Sequence, residues 1–94
     1  MTAHPVIVVR RGYHERAHQL LQRRLPMWVV YRPFTREYPG RWVARMHVIL
    51  PKPKPTRFVM THDTLQELRD MLPPGLTLFV RLPHDVPEIE EAWV

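Results

Sequence analysis

The chain has 94 residues, of which 45% are hydrophobic and 24% charged, a balance typical of one folded domain and not of a disordered segment. It contains no cysteine, which excludes disulfide bonds, thiolate metal ligands and cysteine catalysis. The formal net charge is +5, and five arginines against one glutamate give residues 1–26 a local balance of +4, so the basic character is concentrated there.

The longest apolar runs, at residues 6–9 and 27–31, have the length of strands and are far too short to span a bilayer. No charged region followed by a long apolar stretch opens the chain, so we expect no secretory signal. We therefore expect a cytoplasmic protein with one domain over residues 1–94, divided into a basic segment at 1–26 and a core at 27–94.

A short strand and an amphipathic helix are predicted first. Residues 6–9 form a β-branched run that is typical of a strand. After them, apolar residues recur at the spacing of one helical face. These apolar positions are Tyr13, Ala17, Leu20, Leu21 and Leu25. Pro26 cannot continue the helix, which places the helix end near Arg24.

Two strands joined as a hairpin are predicted next. Residues 27–32 are rich in aromatic and β-branched side chains, and the turn signal Pro39-Gly40 follows them. Residues 41–50 then alternate, which predicts a strand with one buried and one solvated face. The buried face has Trp42, Ala44, Met46 and Val48, and the solvated face has Arg41, Arg45 and His47.

The sequence PKPKP at residues 51–55 lacks backbone donors at three positions, so it predicts a stiff extended connector before a strand at 57–60. Thr64 and Glu67 then form a capping box, the clearest helix signal in the chain. The predicted buried stripe of this helix is Leu65, Leu68, Met71 and Leu72. Residues 76–82 alternate like a strand, and 89–94 predict an edge strand or docked tail anchored by Trp93.

Taken together, the elements follow the order (β)–α–β–β–β–α–β–(β). Hairpin connections predominate in this order, and both helices have one apolar face. The sequence therefore predicts an α+β fold, in which two helices pack on a small, mostly antiparallel sheet.

One catalytic motif is present, because residues 14–18 match H-E-x-x-H on the predicted first helix. In zinc proteases this spacing puts two imidazoles on one helix face, here His14 and His18, with the glutamate polarising the bound water. Arg16 places a cation within a turn of both histidines, and no Gly-x-x-His follows. We expect two solvated histidines and no metal, with a small zinc hydrolase as an open alternative.

Nucleic-acid binding is a second alternative, through the arginine-rich first helix. The order α–β–β–β–α is also that of the double-stranded-RNA-binding domain. In that family a lysine cluster at the start of the second helix binds phosphate, whereas this chain has the acidic stretch HDTLQE at 62–67.

From residue 27 onward the chain resembles a group of small uncharacterised proteins of bacteria and their phages. The likeness lies in MWVVYRPFTREYPGRWVAR, THDTLQELRDMLPPGL and RLPHDVPEIEEAWV, and it departs at Val86, where an acid is expected before Pro87. It implies a compact β-rich domain and a phage or prophage setting, and it assigns no catalytic residue. The H-E-x-x-H match lies outside this region.

We expect a non-enzymatic binding protein without a cofactor, which docks on a host or phage protein with an acidic surface and not on a membrane. An inhibitor of a host defence complex is one such role. Arginine is common in interfaces because its guanidinium pairs with carboxylates in a fixed geometry. The expected contact residues are Arg10, Arg11, Arg16, Arg23, Arg24, Arg41 and Arg45.

Overall fold

The computed structural model describes residues 7–8, 13–80 and 86–94, with side chains only from residue 16 onward in the N-terminal part. Its architecture is the predicted α+β fold with a mostly antiparallel sheet. The elements are β1 (Ile7–Val8), α1 (Tyr13–Leu20), a 3₁₀ turn (Gln22–Arg24), β2 (Pro26–Tyr31), β3 (Trp42–Val48), β4 (Lys54–His62), α2 (Leu65–Met71), β5 (Leu78–Val80) and β6 (Ile89–Trp93).

Within the described residues the strands form one sheet in the order β1-β4-β3-β2-β6-β5. Only β1 is parallel to its neighbour, and all other pairs are antiparallel. The expectation that residues 89–94 form an edge strand or docked tail is wrong, because β6 pairs with β2 on one side and β5 on the other. The edge strand on that side of the sheet is β5, of which three residues, Leu78–Val80, are described.

One face of the sheet and both helices enclose the main core. The residues at its centre are Trp28, Val30, Ala44, Met46 and Met60 from the sheet, Ala17 from α1, and Leu68 and Leu72 from α2. Trp28 lies opposite Met46 in the β2–β3 register, and both side chains are fully buried. Trp93 pairs with Trp28 and packs against this core, as predicted for the C-terminal anchor.

The second face of the sheet is also covered, contrary to the prediction that one face of β3 is solvated. Val29, Val43 and Val59, which alternate with the core positions, are all buried. Part of the cover is the segment 32–41, where Glu37 reaches Arg45 of β3. The ten-residue connection between β2 and β3 is long enough to fold back over the strands, which a turn signal alone does not reveal.

Local signals explain where most elements begin and end. The hydroxyl of Thr64 accepts a hydrogen bond from the backbone N–H of Glu67 at 3.1 Å, which confirms the predicted capping box. The PKPKP stretch is only partly a connector, because its last two residues belong to β4. Among the described residues, the β1 side of β4 is paired at Phe58 and Val59 and not at Pro55, which is compatible with a proline in this strand.

Candidate partner-binding surface

The arginines nearest the N-terminus differ in what they contact. Residues 10–11 lie outside the described part of the chain. Arg16 in α1 and Arg23 in the 3₁₀ turn are exposed, and neither forms an ion pair with any described residue. Arg24 is half-buried, and its Nε donates to the carbonyl oxygen of Leu50 at 3.2 Å. Two of the expected contact residues are therefore exposed and carry no ion pair within the described part of the chain.

The two arginines expected from β3 lie elsewhere and have acidic partners. The Nη1 of Arg41 lies 2.6 Å from Oδ1 of Asp63, and the Nη2 of Arg45 lies 3.0 Å from Oε2 of Glu37. Arg41 precedes the first residue of β3, at the opposite end of that strand from Leu50. The structure thus does not bring all the expected contact residues onto one surface.

Two leucines assigned to the buried stripe of α1 are exposed instead, which corrects the predicted helix face. Leu20 is 77% exposed and Leu25 is 48% exposed. The prediction assumed one continuous helix, whereas α1 ends at Leu20 and a tighter 3₁₀ turn follows at Gln22–Arg24, which changes the angular phase of Leu25 but not that of Leu20. Leu25 then adopts a left-handed conformation with φ 55°, which removes it from the helix face altogether.

Backbone hydrogen bonds fix the 3₁₀ turn against the segment that leaves β3. The carbonyl oxygen of Arg24 accepts from the N–H groups of Ile49 and Leu50 at 2.9 and 3.0 Å, and that of Leu25 accepts from Ile49 at 3.2 Å. Leu50 is 45% exposed and is followed closely by the exposed Lys52. Exposed cations and exposed leucines thus occur on α1, on the 3₁₀ turn that follows it and on the segment hydrogen-bonded to that turn. We call this the basic surface, defined by Arg16, Leu20, Arg23, Leu25, Leu50 and Lys52.

A largely apolar groove of about 590 Å³ borders the basic surface and shares Leu25 with it. On the far side, Gly75 has φ +81°, a conformation that favours glycine and lets the chain turn after α2. Thr77 and Val94 exchange two backbone hydrogen bonds of 2.7 and 3.0 Å, which join this wall to the end of β6. The apolar groove is lined by His18, Gln22, Leu25, Pro26, Ile49, Pro74, Gly75, Leu76 and Val94.

The H-E-x-x-H motif is only partly described, since the side chains of His14 and Glu15 lie outside the described residues. His18 faces the apolar groove, and its Nδ1 accepts a hydrogen bond from Nε1 of Trp28 at 3.2 Å. That nitrogen cannot bind a metal while it accepts this bond. Over the described residues, no group of three or more His, Asp or Glu side chains has an arrangement that could hold a metal ion.

A second cavity, of about 200 Å³, lies on the other face of the sheet beneath the segment 32–41. It is lined in part by Tyr31, Tyr38 and His47, for which no sequence pattern predicts a role. His47 was expected on a solvated face, but it is half-buried and its Nε2 lies 3.1 Å from the hydroxyl of Tyr31. Only the alternation of β3 hinted that His47 and Arg45 share a face.

No protein-family model matches this chain, and no curated protein or solved structure matches it. The resemblance to small bacterial and phage proteins thus stays a prediction. Among the helices of the described residues, none has the length and apolar character needed to cross a bilayer. Function is therefore inferred from the geometry of the chain itself.

Proposed function

We propose that this protein is a non-enzymatic binding protein, whose basic surface and apolar groove dock a segment of a partner protein that carries acidic and apolar side chains. The observation behind this proposal is that Arg16 and Arg23 are exposed without an ion pair among the described residues, beside Leu20 and Leu25. Leu20 is four residues after Arg16 and three before Arg23, so each cation lies about one turn from the leucine.

Charge supports an acidic partner. An arginine that forms no ion pair within its own protein can offer all five guanidinium donors to the carboxylates of a partner. Surfaces of opposite charge also attract each other over several ångströms before they make contact. By contrast, Arg41 and Arg45 already bind Asp63 and Glu37, so a partner acid would have to compete for them.

Exposed apolar surface supports a partner with apolar side chains. A single exposed leucine is common on protein surfaces and indicates nothing. Here Leu20, Leu25 and Leu50 are all exposed, and backbone hydrogen bonds join the segments of Leu25 and Leu50. Leu25 also lines the groove together with Ile49 and Leu76. Interfaces combine an apolar centre with a polar rim that includes arginine, which is the composition of this region.

The expected setting of this function is the cytoplasm of a bacterium that carries a phage or prophage. It follows from the resemblance of residues 27–94 to small bacterial and phage proteins. In that setting the partner is a host or phage protein, and inhibition of a host defence complex is one consistent outcome of docking.

A selection from a display library of random peptides tests the proposal. We expect enriched peptides to combine Asp or Glu with leucine-like or aromatic side chains. Their affinity should fall about tenfold or more for the double variant Arg16→Glu/Arg23→Glu, because two attractive charges become repulsive. Leu25→Ser should also weaken binding, since Leu25 lines the groove.

The matched control is Arg36→Glu/Arg57→Glu, which makes the same change of charge at two exposed arginines outside the basic surface. We expect the selected peptides to bind this control as they bind the wild type. Enrichment without acidic residues, or equal weakening in both double variants, would contradict the proposed docking site.

Direct binding of DNA or RNA is the second candidate, favoured by Lys52 of the basic surface and by Lys54, which follows it in the chain. Both are exposed and form no ion pair among the described residues. It predicts retention on nucleic acid that weakens steeply with salt and with Lys52→Gln/Lys54→Gln. Absence of retention at low salt would eliminate it. The zinc hydrolase alternative predicts bound zinc in the purified protein, and its loss in His14→Ala.

A further inference from the structure

The cavity on the second face of the sheet is enclosed by the strands and by the segment that covers them. Residues of β2, β3 and β4 form its floor, and the segment 32–41 forms its cover. Its volume is about 200 Å³, below the roughly 300–1,000 Å³ of sites for drug-sized ligands. The lining residues are Tyr31, Thr35, Glu37, Tyr38, Val43, Arg45, His47 and Pro55.

The side chains of Tyr31 and His47, which are both uncharged at neutral pH, form a hydrogen-bonded pair in this cavity. The Nε2 of His47 and the hydroxyl of Tyr31 are 3.1 Å apart. Burial, and then the charge of Arg45, lower the pKa of His47, while burial is the main cause that raises the pKa of Tyr31. Imidazole and phenol therefore stay neutral here and add no charge to that of Arg45.

Arg45 contributes a partly used guanidinium to the cavity. Its Nη2 donates to both carboxylate oxygens of Glu37, at 3.3 and 3.0 Å. Its Nη1 and Nε make no hydrogen bond to any described residue. The Arg45 side chain is 19% exposed, whereas that of Glu37 is 59% exposed. Solvent thus screens the carboxylate more than the guanidinium, so that the charge of Glu37 offsets that of Arg45 only in part.

The other walls are flat and largely apolar. Tyr31 and Tyr38 contribute aromatic side chains, and Val43 and Pro55 contribute aliphatic ones. Aromatic walls with one group that fixes orientation are typical of sites for small organic ligands. Guanidinium N–H groups match the planar oxygens of a carboxylate.

We propose that this cavity binds a small planar organic acid with a single ring, whose carboxylate is held by the free N–H groups of Arg45 and whose ring lies against the tyrosine side chains. Glu37 belongs to the covering segment and already occupies Nη2 of the same guanidinium. It therefore acts as an internal competitor, and its carboxylate repels the incoming acid.

Titration with benzoate, followed by backbone amide NMR shifts, tests this site on the full chain. Benzamide is the control ligand, because it has nearly the same shape without the charge. We expect saturable shifts around Tyr31, Val43 and Arg45 with benzoate, and binding of benzamide that is about tenfold weaker or more. An absence of saturable shifts at millimolar benzoate, or equal binding of both ligands, would overturn the proposal.

Two variants assign the binding to Arg45. Arg45→Met should weaken the binding of benzoate about tenfold or more. Arg41→Met removes an ion-paired arginine outside the cavity and should leave benzoate binding unchanged. Glu37→Gln should strengthen the binding of benzoate about two- to fivefold, because the competing carboxylate loses its charge. If Arg45→Met fails to fold, the test depends on Glu37→Gln. Unchanged or weaker benzoate binding in that variant would reject the assignment of the site to Arg45. Neither result depends on the basic surface.

Discussion

Arg16 of α1 and Arg23 of the 3₁₀ turn differ from Arg41, Arg45 and Arg69 in what they bind inside the molecule. Arg16 and Arg23 are exposed and have no ion pair with a described residue, whereas Arg41, Arg45 and Arg69 each bind a carboxylate. A count of charge along the chain treats these residues as equal. The comparison teaches that carboxylates of the same chain occupy the second group partly or fully, whereas the first group has no such carboxylate among the described residues and is therefore the one that we propose for a partner.

The largest effect in this comparison is expected at Arg69. Its guanidinium binds the carboxylate of Glu91, a side chain of which only 4% is exposed and which also accepts from Nε1 of Trp93 at 2.6 Å. This bond raises the pKa of Arg69. Arg69→Ala would leave a buried carboxylate without its cation, so we expect a loss of about 3 kcal/mol in the free energy of unfolding, measured by urea denaturation.

A paired substitution serves as the control for Arg69. Arg69→Met/Glu91→Leu removes both charges together, and we expect it to recover most of the stability lost in the single variant. A single variant as stable as the wild type would show that Glu91 does not need its partner. The contrast between internal and exposed arginines would then be lost.

A smaller effect is expected for the two ion pairs of β3. Asp63 and Arg41 have 77% and 43% of their side chains exposed, so solvent screens their attraction. We expect a coupling energy of about 0.3 kcal/mol for this pair and about 1 kcal/mol for Arg45 with Glu37, whose arginine is less exposed. Double-mutant cycles with alanine measure both, and a stronger coupling for Arg41 would reverse the proposed order.

The exposed arginines should contribute least to stability. For Arg16→Glu/Arg23→Glu we expect the free energy of unfolding to change by no more than about 0.5 kcal/mol, because neither side chain has an ion pair to lose among the described residues. Thermal and urea denaturation measure this change. A loss near that of Arg69→Ala would mean that these residues support the fold.

The last prediction concerns the pH dependence of stability that comes from His47, whose pKa is lowered by burial and by the charge of Arg45. Burial and Arg45 lower the pKa of His47 in the folded chain below its ordinary value of 6.5. The unfolded chain therefore binds the proton more readily, and stability falls as pH decreases below about 6.5 until the folded pKa is reached. We expect His47→Gln to remove this part of the pH dependence in urea denaturation between about pH 5 and 7.5. An unchanged slope would contradict the role of His47.

Most of the fold could be predicted because its signals are local. The capping box of Thr64 and Glu67, the stop at Pro26 and the alternation of β3 each depend on a few neighbouring residues. The position of β6 inside the sheet could not be predicted, because strand order depends on pairing between distant segments. The exposure of Leu25 also escaped prediction, since a change from α to 3₁₀ geometry has no clear sequence signal.

The candidate sites were predictable only in part. Arg16 and Arg23 were expected at the contact surface from charge and helical spacing, but nothing local distinguishes them from Arg45, whose acid lies eight residues away in a covering loop. The apolar groove joins residues from opposite ends of the chain, such as Leu25 and Leu76. Sites of this kind arise from the assembled fold, so a sequence pattern cannot locate them.

The most direct measurement is an NMR map of one selected acidic peptide on the labelled protein. We expect the largest backbone shifts at Arg16, Arg23, Leu25, Ile49 and Leu76, along the basic surface and into the groove. Shifts confined to the second face of the sheet, around Arg45 and Tyr31, would contradict the account, because they would place the peptide at the cavity there and not on the basic surface.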